Sequence, residues 1–132
     1  MDEKNSFWKG AAVIHCYSRS QALEDGVLAD ITSLAKEAGF KFPMAATAAV
    51  WNLLSPSEDL QAQGQSFNGR AWDMLSILKL CIGRWENTDI IRFAPLFITK
   101  PGAGPEPVRL WAKCGPGDTS EPVVTIMMEG ED

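Results

Sequence analysis

RAWDMLSILKLCIGRW, at residues 70–85, is the stretch of sequence that decides the fold. Its apolar residues recur at steps of three and four, which is the spacing of one face of an α-helix. The main stripe is Ala71, Leu75, Leu78, Ile82 and Trp85, widened by Trp72, Met74, Ile77, Leu80 and Cys81. A helix this apolar belongs in the middle of a domain. We therefore expect a sheet to pack on it and to bury Leu75, Leu78 and Ile82 completely.

The part of the chain before residue 30 has the pattern of a strand followed by a short helix. Residues 1–9 are expected to form a loose lead-in, and residues 11–17 a strand with two apolar faces. A helix should follow over residues 19–25. Ser18 and the glutamine three positions later have capping-box spacing, so a side-chain oxygen can accept a free backbone N–H at the helix start. Gly26 then offers the positive φ that ends a helix at little cost.

Two more helices are expected in the next part of the chain. The first covers residues 32–38, with Thr32 as its N-cap and Gly39 just beyond its end. The second covers residues 43–54, because it begins with a proline, whose missing N–H is not needed at the first helical position. The polar stretch at residues 55–65 contains a proline and a glycine, and it is predicted to be a mobile loop.

The last third of the chain has the patterns of β-strands. Strands are expected at residues 90–99, 107–114 and 123–128, joined by Gly/Pro-rich connections into an antiparallel meander. One connection, GPGD at residues 115–118, fits a type II turn, with proline second and glycine third. Residues 129–132 are expected to form a solvated acidic tail.

Helical patterns occupy the middle of the chain and strand patterns its two ends, which is typical of an α+β fold. With 132 residues, 45% of them hydrophobic, the chain is long enough for one well-packed domain. We therefore expect a single α+β domain over residues 1–132. Its sheet should be mostly antiparallel with about four strands, the N-terminal strand plus the C-terminal three-stranded meander, packed against the helical middle segment.

Net charge and cysteine content limit the kinds of partner and the cellular compartment that we expect for the protein. A formal net charge of −5 makes nucleic acid an unlikely partner, since binding to phosphates needs a basic footprint. Cys16, Cys81 and Cys114 lie in apolar runs, and with three cysteines at least one must stay unpaired. The N-terminus lacks a signal-peptide pattern, and no apolar run is long enough to span a membrane. We expect a cytoplasmic protein without a membrane segment.

One strand face carries the residues best suited to binding. Alternation along residues 107–114 places an apolar row toward the core and Arg109, Trp111 and Lys113 on the opposite face. Two cations beside an indole form a positive spot in an acidic protein, which favours an acidic or phosphorylated protein partner. The alternative is a solvated sheet face on which Trp111 is partly covered by a neighbouring side chain.

Little in the sequence points to catalysis. His15 is the only histidine, its side chain points away from that of adjacent Cys16 in a strand, and no spacing fits a metal site. We therefore expect no catalytic residues, no metal and no cofactor, and a non-enzymatic binding or interaction module is the favoured function. Two alternatives stay open. One is a small hydrolase or transferase that uses carboxylates such as Asp30, Asp73 or Asp118, and the other is a structural subunit of a homo-oligomer.

Several short segments carry a family resemblance that extends over nearly the whole chain from about Val13. They are YSRSQALEDGVLAD at residues 17–30, GRAWD at residues 69–73, and CGPGD at residues 114–118 followed by EPV at residues 121–123. Together they resemble an uncharacterised family of small bacterial proteins, often carried on plasmids and other mobile elements. The resemblance implies no catalytic residues, because the family's function is unknown. It suggests an accessory role for a mobile genetic element, such as action on a host protein.

Overall fold

The computed structural model of the protein describes residues 18–82 and 89–131. Its helices are α1 (Arg19–Glu24), α2 (Thr32–Glu37), α3 (Ala48–Leu54), α4 (Glu58–Ala62) and α5 (Phe67–Ile82). Its strands are β1 (Leu28–Asp30), β2 (Met44–Thr47), β3 (Ile90–Phe93), β4 (Leu96–Phe97), β5 (Glu106–Pro107), β6 (Leu110–Pro116) and β7 (Pro122–Met128). The expected lead-in at residues 1–9, the strand at residues 11–17 with His15, and the end of the helix predicted over residues 70–85 lie outside the described residues.

A five-stranded sheet with the order β1-β2-β7-β6-β3 forms the middle of the domain. β2 and β7 run parallel, and the other three neighbouring pairs are antiparallel. β3, β6 and β7 are the expected C-terminal meander, while β4 and β5 pair as a small second sheet within the β3–β6 connection. The prediction of an α+β domain with a mostly antiparallel sheet is confirmed. β1 and β2 are strands that the sequence patterns did not indicate.

Helix α5 packs on one face of this sheet. Leu75 and Leu78 have no exposed surface, and they share a core cluster with Ala112 of β6 and Ile126 of β7. Burial of a large aliphatic side chain stabilises a fold by roughly 1.5–3 kcal/mol relative to leaving it exposed. The burial predicted for Leu75 and Leu78 is confirmed, and it fixes which side of α5 faces the sheet.

The buried arc of α5 is narrower than the sequence suggests. Ile82 is only half-buried, so the prediction of its full burial is wrong. Trp72 and Leu80, expected to widen the apolar stripe, are 49% and 70% exposed. A helix that packs on a sheet from one side buries only the residues facing it, and the apolar residues beyond that arc remain at the surface.

The segment predicted as a helix over residues 43–54 begins as strand β2. Met44–Thr47 lies between β1 and β7 and pairs with both. Helix α3 covers only the rest of the segment, and the Thr47 hydroxyl accepts a backbone N–H from its first turn. Ala45 and Ala46 are 1% and 0% exposed, so their small side chains fit a strand covered on both faces. Pairing with two distant strands thus overrides the helix propensity of alanine.

The start of helix α2 also differs from the prediction. Thr32 is the first helical residue rather than the N-cap, a position held by Ile31 without a side-chain hydrogen bond. Asp30 Oδ1 accepts the Thr32 N–H at 2.9 Å, and Thr32 Oγ1 accepts the Met44 N–H at 3.1 Å. Thr32 therefore ties the helix to β2 instead of capping it. Gly39 follows the helix with a φ of +99°, as expected for the residue beyond a helix end.

Two ranges expected to be loose are anchored at specific residues. Within residues 55–65 the chain forms α4, whose Leu60 is 4% exposed. Within residues 129–132, Glu131 Oε1 accepts the Thr47 hydroxyl at 2.9 Å. The mobility expected of the first range stays a prediction.

Candidate binding face

The three residues that the sequence predicts to bind a partner lie on the face of the sheet that points away from α5. Along β6, Leu110 and Ala112 point into the core and have no exposed surface. Arg109, just before the strand, and Lys113 are exposed on the opposite side. The predicted alternation is therefore confirmed within β6, but the strand begins at Leu110 rather than at residue 107, because Pro107 belongs to β5 of the second sheet. Trp111 lies between the two cations and is half-buried.

Arg92 of β3 joins this group across the strand pair. It is the direct cross-strand partner of Trp111, and its guanidinium carbon lies 5.6 Å from the centroid of the indole ring. This is the distance of a cation–π contact, worth about 0.5–1 kcal/mol at an exposed site. Sequence reasoning missed Arg92 because alternation gives the direction of a side chain but not the identity of its neighbouring strand. We call Arg92, Arg109, Trp111 and Lys113 the Trp111 face.

The side chain of Trp111 is only partly exposed to solvent. Its Nε1 atom is buried and finds no hydrogen-bond partner among residues 18–82 and 89–131, although the side chain as a whole is half-buried. A buried donor without an acceptor costs about 1–3 kcal/mol. The Nε1 edge of the indole is thus enclosed by the protein, while the side chain as a whole keeps some exposed surface.

Arg109 has an acidic neighbour in Glu129. Its Nη1 lies 3.7 Å from Glu129 Oε1, and the two side chains are 77% and 47% exposed. An exposed pair at this separation contributes about 1 kcal/mol or less, since water screens it and two flexible side chains must be ordered. The contact with Glu129 is therefore a weak one.

Lys113 also borders a groove of about 770 Å³ between α1 and the β6–β7 hairpin. Arg19 of α1 reaches the sheet there, and its Nη1 donates to Thr125 Oγ1 at 2.7 Å. Burial lowers the pKa of Arg19, and the charges of nearby carboxylates, led by Asp30, oppose that shift. The guanidinium stays protonated, and its role is to fasten α1 to β7.

The GPGD stretch does not form the expected type II turn. Gly115 and Pro116 belong to β6, and Gly117 lacks the positive φ that such a turn requires at its third position. The chain turns later, where the Ser120 N–H donates to the Gly117 carbonyl at 3.2 Å and Ser120 itself has a φ of +70°. A turn followed by a left-handed residue is typical of a three-residue hairpin loop. The loop directs Asp118 at α1.

Of the three carboxylates considered for catalysis, two accept hydrogen bonds from other residues of the protein, and the third is exposed. Hydrogen bonds from the Thr32 side chain and backbone lower the pKa of Asp30. Asp118 accepts the first two backbone N–H groups of α1 at 2.8 and 3.0 Å, and these bonds lower its pKa as well. Asp73 is exposed on α5. A general acid needs a raised pKa, so Asp30 and Asp118 do not fit that role.

Metal ligation and thiol chemistry are the remaining possibilities for the part of the chain that the structure describes. Within residues 18–82 and 89–131, no three His, Cys, Asp or Glu side chains come together as a metal site. Cys81 and Cys114 are free thiols and half-buried. None of the helices in these ranges is long and apolar enough to cross a lipid bilayer.

Taken together, the described residues form an α+β domain with an aromatic and basic face on its sheet. The chain belongs to a family of unknown function, DUF6573, whose model matches residues 4–132. No curated protein and no solved structure matches the chain.

Proposed function

We propose that the protein is a non-enzymatic binding module that holds an acidic or phosphorylated segment of a partner protein on the Trp111 face. The observation that carries this proposal is the cation–π contact between Arg92 and Trp111, 5.6 Å from guanidinium carbon to ring centroid, with two further cations beside it. Tryptophan and arginine are the residue types that most often dominate the energy of protein interfaces.

The strand register brings the three cations within reach of one ligand. Arg92 is paired with Trp111, so Arg109 and Lys113 are both its diagonal neighbours across the β3–β6 pair. Diagonal neighbours lie about 7–8 Å apart, close enough for long side chains to meet. A phosphoryl or carboxylate group above the indole could therefore contact more than one cation.

The close spacing of these cations is electrostatically unfavourable, and a bound anion would reduce the repulsion. Like charges placed close together on a sheet face repel one another. Glu129 offsets part of this at Arg109, at an exposed distance of 3.7 Å. An anionic group of a partner would neutralise the cluster further, while the indole contributes apolar contact area.

Two observations favour binding over the alternative of a small hydrolase or transferase. The pKa values of Asp30 and Asp118 are lowered, and both carboxylates accept hydrogen bonds from backbone N–H groups of the protein itself. Such carboxylates stay ionised near neutral pH and are occupied by structural bonds. They support the folding of the domain rather than proton transfer.

The proposal is tested with three fluorescein-labelled peptides of matched length. One is rich in Asp and Glu and contains phosphoserine, the second has serine in its place, and the third has Gln and Asn instead of the acids. We expect fluorescence anisotropy to rank their affinities in that order and to show weaker binding as salt is added. Trp111→Ala should weaken binding about 30-fold, which corresponds to about 2 kcal/mol.

Two control variants separate binding from folding. Trp111→Phe keeps an aromatic ring under Arg92 and removes the unpartnered N–H, so it should fold normally and bind within a few-fold of the wild type. Lys36→Gln removes an exposed cation on α2, away from the Trp111 face, and should bind as the wild type does. Equal binding of the neutral peptide, or equal losses in Lys36→Gln and Arg92→Gln, would contradict the proposal.

We further propose that the partner is a host protein, met in the cytoplasm, and that the protein serves a mobile genetic element. The sequence resemblance described above supports the mobile-element role, and the free thiols of Cys81 and Cys114 fit a reducing compartment. Affinity purification from the native host should recover a partner with wild-type bait and lose it with Trp111→Ala bait. Light scattering tests the remaining alternative, a structural homo-oligomer, which a monomeric protein would exclude.

A further inference from the structure

A second cavity, of about 440 Å³, lies at the end of the sheet where β2 and β7 begin and β6 ends. Its volume falls in the range of small-molecule sites, roughly 300–1,000 Å³. Its wall is almost entirely apolar, with Phe40, Phe42, Met44, Ile82, Ile91 and Val124 among the lining residues. Ile82, which packs against the edge of the core cluster, also lines this cavity.

Two lysines are the charged residues that line this cavity within the described part of the chain. Lys79 Nζ donates to the Ala38 carbonyl at 3.1 Å, which uses one of the three N–H groups of the ammonium. Gly39 lets the lysine lie there, because a Cβ at that position would be 2.5 Å from Nζ. Lys41 is exposed on the loop that follows. The cavity therefore combines an apolar wall with two exposed lysines at its edge.

Cys114 is an uncharged residue in the wall of this cavity. Burial, and to a lesser degree the charge of Asp89, raise the pKa of its thiol above the ordinary value of 9.0. The thiol thus stays uncharged at neutral pH and acts as one more apolar contact. On β6, Cys114 and Lys113 point to opposite faces, so this cavity is separate from the Trp111 face.

We propose that this cavity binds a small amphiphilic carboxylate, with its hydrocarbon chain among the aromatic and aliphatic side chains and its carboxylate at Lys79 and Lys41. Both lysines are exposed, so an uncharged apolar ligand would gain no charge-assisted contact from them and a cationic one would be repelled by them. Charge-assisted hydrogen bonds between ammonium and carboxylate are among the stronger polar contacts in proteins. A carboxylate is therefore the head group that this wall selects.

Decanoate, used below its micelle-forming concentration, is the probe for this site. Binding is followed by calorimetry and by the ¹³C methyl resonances of the methionines. The Met44 methyl lines the cavity and should shift, whereas Met127, on the opposite face of the sheet, should not. Across octanoate, decanoate and dodecanoate, affinity should rise about fourfold per added methylene, as expected for burial of the chain.

Head-group comparators and lysine variants test the charge selection. Decanol should bind about tenfold more weakly than decanoate, and decyltrimethylammonium more weakly still. Lys79→Met and Lys41→Met, each of which keeps an apolar stem, should lower decanoate affinity and leave decanol affinity unchanged. Lys36→Met, an exposed lysine of α2 that does not line the cavity, is the matched control and should bind decanoate normally.

Three results would overturn the inference. They are equal affinity for decanoate and decyltrimethylammonium, retention of decanoate affinity in both lysine variants, and absence of a Met44 shift at saturating decanoate. None of them depends on the Trp111 face, so the inference and the proposed function can fail independently.

Discussion

Asp118 of the β6–β7 hairpin binds the N-terminus of helix α1, 99 positions earlier in the chain at Arg19. Its Oδ1 accepts the Arg19 backbone N–H at 2.8 Å, and its Oδ2 accepts that of Ser20 at 3.0 Å. Ser18 Oγ accepts the N–H of Gln21 at 2.9 Å. The free donors of the first helical turn are thus divided between a local cap and a distant carboxylate. The hairpin loop thereby fastens α1 to the sheet.

This contact predicts a specific pH dependence. The pKa of Asp118 is lowered below its ordinary value of 3.8, because the ionised form accepts the backbone N–H groups of Ser20 and Arg19. The stabilisation is complete above the unfolded-state pKa, and it is lost as the pH falls through the lower folded-state pKa. Asp118→Asn should therefore lower stability at pH 7 and reduce its fall on acidification, as measured by urea unfolding at a series of pH values.

Asp73→Asn is the control for this prediction, since Asp73 is exposed on α5. Asp30 and Glu121 also have lowered pKa values, so part of the acid sensitivity should persist in Asp118→Asn. Amide exchange at Arg19 and Ser20 should become faster in Asp118→Asn alone. Unchanged exchange at these two amides would show that the carboxylate does not cap the helix in solution.

Arg70 is a buried cation whose truncation should be costly. The residue is 4% exposed, and its guanidinium donates to the Leu53 carbonyl at 2.7 Å and to the Ile98 carbonyl at 2.5 Å. Arg70→Met would leave both carbonyls without these donors, at a cost of about 2–4 kcal/mol. Chemical denaturation measures this loss. Arg109→Met, at a highly exposed arginine, should change stability by less than about 0.5 kcal/mol, and similar losses in both variants would refute the assignment.

The orientation of α5 is tested by two leucines on the same helix. Leu75 has no exposed surface, and Leu80 is 70% exposed. Leu75→Ala should lower the free energy of unfolding by about 2–5 kcal/mol, because it removes buried methyl groups and leaves a cavity. Leu80→Ala should stay within about 0.5 kcal/mol of the wild type. The reverse order in thermal or urea unfolding would mean that the helix presents another side to the sheet.

Ser120 offers a site where the domain can be stabilised. Its φ of +70° lies in the left-handed region, which costs energy for a residue with a Cβ. Ser120→Gly should raise the free energy of unfolding by up to about 1 kcal/mol, after allowance for the greater freedom of glycine in the unfolded chain. Ser120→Ala keeps the Cβ and should bring no such gain. If the two variants have the same melting temperature, the loop does not store this strain.

Three of the four residues of the Trp111 face could be predicted from the sequence. The strict alternation in β6 separates Arg109, Trp111 and Lys113 from the core side without knowledge of any other strand. Arg92 could not be added in the same way. Its contact with Trp111 depends on the register between β3 and β6, which are separated along the chain by β4 and β5.

Features that depend on neighbouring residues could be predicted from the amino-acid sequence. The Ser18 cap, the positive φ of Gly26 and Gly39, and the buried positions Leu75 and Leu78 follow from local geometry and from the helical period. Such features need only a few consecutive residues, so their physical cause is already present in the local sequence.

Only the tertiary structure decided which distant segments meet. Met44–Thr47 has the composition of a helix, yet it became a strand because β1 and β7 satisfy its backbone donors and acceptors on both sides. Asp118 became a helix cap because the hairpin carries it to α1. In both cases the stabilising hydrogen bonds join residues far apart in the chain, and local propensity is too weak to oppose them.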